Sequence, residues 1–166
     1  PGVRSVDQAV WDAVAGPEDP FLSHVFLNLL EESGSVGEGT GWQPNVDDLR
    51  SKISKKTKGI VIINPNNPTG ALYDEKAVKQ IVDLAGEHNL PVFSDEIYDQ
   101  IVFGKRLVST AYLARDVPVV GLNGFSKAYL ITGWRLGYVY FHDQQGRLQE
   151  FKQCIEKEAR IRLGAN

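Results

Sequence analysis

Residues 59–70 read GIVIINPNNPTG, a short apolar run followed at once by a turn that contains two prolines and a glycine. A wholly apolar run of this length predicts a strand that is buried on both faces of a sheet. Proline cannot donate a backbone hydrogen bond, so residues 64–70 exclude a helix or a central strand and predict a loop. The stretch therefore predicts a buried strand whose carboxyl end opens into a polar turn.

Helices and strands alternate around this stretch. Residues 91–94, 117–122 and 136–141 are further apolar segments that predict strands. Asp74 predicts the N-cap of an amphipathic helix after the first strand, and another amphipathic helix follows the last strand. Strands that alternate with helices predict an α/β fold with three layers, α/β/α, in which a mostly parallel sheet is covered on both faces.

Composition narrows the possible classes of protein. The chain has 166 residues, of which 42% are hydrophobic and 23% are charged, close to the globular average. This predicts one ordinary domain and excludes a wholly disordered chain. The net charge is −3 and the basic residues are scattered, so we do not expect a dedicated nucleic-acid-binding protein. His24, His88 and His142 are widely spaced, so we expect no metal site.

The chain shows no targeting or membrane-spanning pattern. No apolar run approaches the roughly 20 residues that cross a membrane, and the N-terminus has no basic segment followed by an apolar one. We therefore expect no membrane partner and a cytoplasmic protein. The single cysteine, Cys154, excludes a disulfide within the chain. It falls on the apolar face of the last predicted helix, where we expect it to be buried.

Polar segments follow the predicted strands. The first three strands lead into Asn66–Gly70, Asp95–Tyr98 and Asn123–Lys127, and Gly133–Gly137 precedes the fourth strand. Open parallel sheets bind their ligands at the carboxyl ends of the strands. If these strands are neighbours, one crevice collects an amide, a carboxylate, a phenol, a hydroxyl, an amine and a guanidinium.

Pyridoxal phosphate (PLP) is a cofactor that requires this combination of groups. Its aldehyde forms a Schiff base with a lysine amine, and a carboxylate keeps its ring nitrogen protonated so that the ring withdraws electrons. Its ring oxygen accepts hydrogen bonds from donors such as a phenol and an amide, and its phosphate binds an arginine fork and hydroxyls. The strand ends therefore predict a PLP site.

The same segments resemble the motifs of the class I/II aminotransferases of the aspartate aminotransferase fold, and are most similar to the alanine-type members. The motifs are Asn66–Gly70, Ser94–Tyr98, Gly124–Lys127 and Gly133–Gly137. The similarity is close from about residue 41 to the end of the chain. It implies that residues 1–142 form part of the PLP-binding large domain of a fold type I transferase. Residues 143–166 would then begin the helix that leads to a small C-terminal domain.

The resemblance implies a role for particular residues. Lys127 matches the lysine that forms the Schiff base, and Asp95 matches the partner of the ring nitrogen. With Tyr98 they form the expected catalytic group. The residues that match cofactor-binding positions are Lys127, Asn67, Asp95, Tyr98, Ser126 and Arg135.

Within that set, the resemblance assigns the ring oxygen and the phosphate to different residues. Asn67 and Tyr98 match the pair that binds the ring oxygen, and Arg135 matches the phosphate-binding arginine, which Ser126 would assist. Many family members carry a serine three residues before the lysine, where this chain has Gly124. One contact to the phosphate is therefore expected to be absent.

The implied function is transfer of an amino group from an L-amino acid to a 2-oxo acid by a homodimer. One alternative is a core fragment of such an enzyme with little or no activity, and another is a lyase or decarboxylase on the same scaffold. A dinucleotide-binding domain is a third alternative, but no strand-linked Gly-x-Gly-x-x-Gly motif supports it.

Overall fold

The computed structural model describes residues 3–16, 23–32, 43–102, 104 and 106–162. The chain divides into two compact units, residues 1–43 and residues 44–166. The first unit contains a 3₁₀ turn at Val3–Ser5 followed by helices α1 (Gln8–Ala15) and α2 (His24–Glu32). At the start of α2, the His24 backbone amide donates a hydrogen bond to Asp12 Oδ1 at 2.9 Å.

The second unit is built on a four-stranded sheet in the order β1-β2-β3-β4. The strands are β1 (Ile60–Ile63), β2 (Val92–Asp95), β3 (Val119–Gly124) and β4 (Gly137–His142). The first three strands are parallel, and β4 runs antiparallel to β3. The predicted α/β fold with a mostly parallel sheet is therefore confirmed, and every strand overlaps the segment predicted for it.

Five helices accompany the sheet in the described part of this unit, and they are α3 (Val46–Lys52), α4 (Glu75–Glu87), α5 (Thr110–Leu113), α6 (Phe125–Ala128) and α7 (Gln149–Arg162). Asp74 caps α4 as predicted, because its Oδ1 accepts a hydrogen bond from the Ala77 amide at 2.7 Å. None of the helices in the described residues is long and apolar enough to cross a membrane.

The main core lies between α4 and one face of the sheet. The strand register places Ile60, Val92 and Val119 on that face, because residues paired in register point to the same side. The α4 side chains Ile81 and Val82 are each 1% exposed and belong to the same cluster. The broad apolar face of α4 therefore packs on this side of the sheet and forms the core with it.

Within the described residues of this unit, the other face of the sheet is covered only in part. Phe151 of α7 packs edge-on against Phe93 of β2 and Phe141 of β4, with ring centroids 5.8 and 6.3 Å apart. On β1, Val61 is 69% exposed, so the predicted burial of this strand on both faces is wrong. The reason is that β1 is an edge strand, whereas the ring contacts of α7 fall on β2 and β4. Cys154 is also exposed, against expectation, since α7 leaves this part of its surface in solvent.

A pair of isoleucine substitutions in helices tests this assignment of the core. We expect Ile81→Val to lower the free energy of unfolding by about 1 kcal/mol, because it removes a buried methylene and leaves a small cavity. Ile161→Val makes the same change on α7, where the side chain is 78% exposed, and should stay within about 0.5 kcal/mol of wild type. Denaturant unfolding measures both values. Equal effects at the two positions would contradict the assignment.

Candidate active site

The carboxyl ends of the parallel strands lie at one edge of the sheet. The register pairs Ile63 with Asp95 and Asp95 with Leu122, so β1, β2 and β3 end side by side. Because β4 is antiparallel, its first residue, Gly137, pairs with Gly124 at the end of β3. The polar segments that were predicted to converge therefore begin at the same edge.

The loop after β1 is closed by its own hydrogen bonds. The Asn66 amide donates to the Ala71 carbonyl, and the Gly70 amide donates to the Asn66 carbonyl, both at 2.8 Å. Gly70 has a φ of +71°, in the left-handed region that favours glycine. At the exposed apex of this loop, the Asn67 Nδ2 donates to the Tyr98 hydroxyl at 3.5 Å.

Tyr98 lies between the amide of Asn67 and the amine of Lys127. Lys127 is half-buried in α6, directly after β3, and its Nζ lies 5.7 Å from the centroid of the Tyr98 ring. This distance is within the range of a cation–π contact. Three residues from three different strand ends, Asn67, Tyr98 and Lys127, thus form one cluster, which we call the strand-end cluster.

Asp95 is the last residue of β2 and is half-buried. Its Oδ1 accepts a hydrogen bond from the Ile97 amide at 3.1 Å, which stabilises the turn that leads to Tyr98. The residue therefore has a structural role in that turn.

Arg135 and Ser126 flank the strand-end cluster in the sequence. Arg135 follows a 3₁₀ turn at Thr132–Trp134, has a φ of +53°, and is exposed. Its Nη1 donates to the Thr132 carbonyl at 3.0 Å. Ser126 is half-buried in α6 beside Lys127. Ser126 therefore lies next to Lys127. Arg135 lines a separate cavity with Asn123 and Gly137, and its guanidinium is bonded to the preceding turn, so the described contacts do not bring it to the strand-end cluster.

Close packing around position 124 explains why a glycine is present there. A Cβ there would lie 3.0 Å from the Leu136 carbonyl oxygen and 3.1 Å from Ile97 Cδ1. Both distances are tighter than ordinary carbon contacts, so a serine would require the backbone of the 135–137 segment or the Ile97 side chain to shift. The departure from the family pattern therefore accompanies a close approach of β3 and β4.

The donor set of this edge fits PLP. It offers an amine for the aldehyde, a carboxylate for the ring nitrogen, an amide and a phenol for the ring oxygen, and a guanidinium for the phosphate. A cavity of about 480 Å³ is lined by Asn67 and Tyr98 together with apolar side chains such as Leu72 and Ile101. Lys127 and Asp95 are not among its described lining residues. In the residues that the structure describes, no group of three or more His, Cys, Asp or Glu side chains could hold a metal ion.

Sequence reasoning missed a buried polar network behind the site. Glu96 is 4% exposed and accepts a hydrogen bond from the Tyr140 hydroxyl at 3.0 Å. Burial raises the pKa of Tyr140 to about 12, and the nearby Glu96 charge adds to the increase. The signal in the sequence was Glu96 itself, a charged residue in a segment that continues a buried strand.

The family of the chain follows from comparison with known proteins. Residues 33–162 match the family "Aminotransferase class I and II". The chain is 42% identical over 130 residues to the glutamate-pyruvate aminotransferase AlaA of Escherichia coli, covering 78% of this chain and 32% of that protein. It therefore spans about a third of the length of this relative.

Solved structures agree with this match. An alanine aminotransferase from Pyrococcus furiosus is 52% identical, with a TM-score of 0.74, over 78% of this chain and 33% of that one. A Thermus thermophilus aspartate aminotransferase double mutant is 30% identical, with a TM-score of 0.67, over 75% of this chain and 31% of that one. The chain belongs to the class I and II aminotransferases, a family of PLP-dependent enzymes. This membership decides against the dinucleotide-binding alternative.

The raised pKa of Tyr140 predicts a stability change at high pH. An unfolded phenol ionises near pH 10, whereas the folded one ionises near pH 12. The stabilising contribution is therefore complete below about pH 10 and is lost as the pH rises to about 12. Denaturant unfolding measures the free energy of unfolding at each pH in this range. Tyr140→Phe should show a smaller decrease of this free energy between pH 10 and pH 12 than wild type. Tyr112→Phe, at a side chain that is 83% exposed, should keep the wild-type decrease. Identical decreases for wild type and Tyr140→Phe would contradict the assignment.

Proposed function

We propose that this chain is the PLP-binding part of an alanine-type aminotransferase, which transfers the amino group of an L-amino acid to a 2-oxo acid. The observation that carries the proposal is the strand-end cluster of Asn67, Tyr98 and Lys127 in a chain of this family. The similar proteins named alanine or glutamate-pyruvate aminotransferase support the substrate class. We further infer a homodimer, as is typical of the family, and a cytoplasmic location.

Lys127 would bind the cofactor and move a proton. PLP, when bound, supplies an aldehyde that reacts with amines and a ring that withdraws electrons. The Lys127 amine stands at the end of β3, beside the phenol of Tyr98, where it would attach the cofactor. The Lys127 Nζ would also be the base that takes a proton from the substrate α carbon.

Asp95 would keep the ring nitrogen protonated, and two neutral donors would orient the ring. The Asp95 carboxylate lies at the same edge, with its Oδ1 held by the Ile97 amide, so its direction is set before a ligand arrives. Asn67 and Tyr98 are already within 3.5 Å of each other, so both donors can reach one oxygen atom. Preorganised groups of this kind act without reorganising during the reaction.

Arg135 and Ser126 would bind the phosphate. A guanidinium carries five N–H donors, and the hydrogen bond to the Thr132 carbonyl uses only Nη1. The remaining N–H donors would be available to the phosphate. Ser126 precedes Lys127 directly, so its hydroxyl would be close to whatever the lysine binds.

Removal of the Lys127 amine should abolish the covalent attachment of PLP. We expect the visible absorbance of lysine-bound PLP to develop when PLP is added to the chain, and to be lost in Lys127→Ala, because in the described residues Lys127 is the lysine that lies against the Tyr98 ring. Lys58→Ala removes an exposed lysine before β1 and should bind like wild type. If Lys127→Ala retained the wild-type absorbance, another lysine would have to be the attachment point.

Asp95 should affect the reaction rate more than cofactor binding. In an active enzyme that contains this chain, we expect Asp95→Asn to lower kcat roughly 10²- to 10³-fold, the scale of losing one preorganised charge contact. The neutral amide no longer stabilises a protonated ring nitrogen. Asp83→Asn on the exposed surface of α4 is the matched control and should leave kcat unchanged. Steady-state amino-donor kinetics measure both, and a decrease of only a few-fold in Asp95→Asn would contradict the role.

A further inference from the structure

The Glu96 carboxylate sits in a cage of donors that the reaction does not use. Its Oε1 accepts hydrogen bonds from the Ser94 hydroxyl at 3.0 Å, the Ser109 hydroxyl at 3.1 Å and the Thr110 amide at 2.9 Å. Its Oε2 accepts one from the Tyr140 hydroxyl at 3.0 Å. Ser94, Glu96 and Thr110 are all at most 4% exposed. A carboxylate so deeply buried is tolerated only when donors satisfy its oxygens, as they do here.

The donors come from three separate elements. Ser94 belongs to β2, Ser109 and Thr110 begin α5, and Tyr140 belongs to β4. Ser109 is the N-cap of α5 but makes no side-chain capping bond, because its hydroxyl is directed to Glu96 and Tyr140 instead. Glu96 therefore links β2, β4 and α5 at one point.

The backbone of β3 is adapted to this cage. Gly121 pairs with Ser94 on one side and with Tyr140 on the other. A Cβ at Gly121 would lie 1.9 Å from Tyr140 Cζ and 2.5 Å from its hydroxyl oxygen, so the phenol ring crosses the space that a side chain would fill. Tyr140 reaches Glu96 only because position 121 has no side chain.

Glu96 follows Asp95 directly, and the two side chains point to opposite sides of the sheet. The backbone between them is held by neighbours, since the Asn64 amide donates to the Asp95 carbonyl and the Glu96 amide donates to the Leu122 carbonyl, both at 2.9 Å. We propose that Glu96 is a positioning residue whose buried anchor fixes the turn from Asp95 to Tyr98, so that both side chains face the cofactor. This inference rests on the proposed function for its cofactor, but the anchoring itself can be tested without one.

The experiment compares Glu96→Gln with Glu150→Gln, a matched change at an exposed glutamate of α7. Glu96→Gln keeps the size of the side chain and one acceptor oxygen but removes the negative charge. It also puts an amide N–H₂ donor where Oε2 accepts the hydrogen bond from the Tyr140 hydroxyl. In the chain without cofactor, the NMR shift of the Ile97 amide proton reports its hydrogen bond to Asp95. With PLP added, the Kd reports the assembled site.

We expect Glu96→Gln to move the Ile97 amide proton upfield, because its hydrogen bond to Asp95 is weakened. We expect it to raise the Kd for PLP roughly tenfold, the scale seen when a group that orients a ligand-binding residue is lost. Glu150→Gln should change neither. A folded Glu96→Gln with the wild-type Ile97 amide shift, or with wild-type PLP affinity in a chain that binds PLP, would overturn the positioning role.

Two further measurements test the inference if Glu96→Gln does not fold or if the chain does not bind PLP. If Glu96→Gln does not fold, Tyr140→Phe removes the donor to Oε2 and the contact with the Ser109 hydroxyl, and it should shift the Ile97 amide proton in the same direction by less. An unchanged Ile97 amide shift in folded Tyr140→Phe would then overturn the inference. If the wild-type chain binds no PLP, the proposed function fails, and the Ile97 amide shift in Glu96→Gln decides on the anchoring of Asp95 by itself.

Discussion

The parallel alignment of β1, β2 and β3 is the constraint on which the candidate site depends. Parallel neighbours deliver their carboxyl ends to one edge, and the ladder here continues one residue past the strands through the Asn64 and Glu96 amides. The loops diverge only beyond that point. Asn67, Tyr98 and Lys127 are distant in sequence, and they meet because each lies a few residues after a strand that ends at this edge.

The two sides of β2 give neighbouring carboxylates different surroundings. On one side, Val92 and Ser94 belong to the buried layer against α4 and α5, and Glu96 continues that side with its cage of donors. On the other side, Asp95 ends the strand at the site. The period of two in a β-strand thus lets adjacent carboxylates have opposite environments, one buried and satisfied by the fold, the other half-buried at the edge.

The sequence predicted the features that are encoded locally. Three such features depend on a few neighbouring residues and are present in the structure as expected. They are the apolar strand at 60–63, the loop at 64–70 with its prolines and glycine, and the Asp74 cap. The roles of the strand-end residues stay predictions. The exposure of Val61 could not be predicted, because its neighbours in sequence do not determine what covers the second face of the sheet. The Glu96 cage was missed for a similar reason, since its donors at positions 109 and 140 are far away in the sequence.

The central claim is that this strand-end edge holds PLP on one particular amine. Reduction of the PLP-loaded chain with borohydride fixes the cofactor to its lysine, and peptide mass spectrometry then locates it. The account predicts the label on Lys127, in the peptide that follows β3, where the amine lies beside the Tyr98 ring. A label on any other lysine of a folded, saturably loaded chain would contradict it.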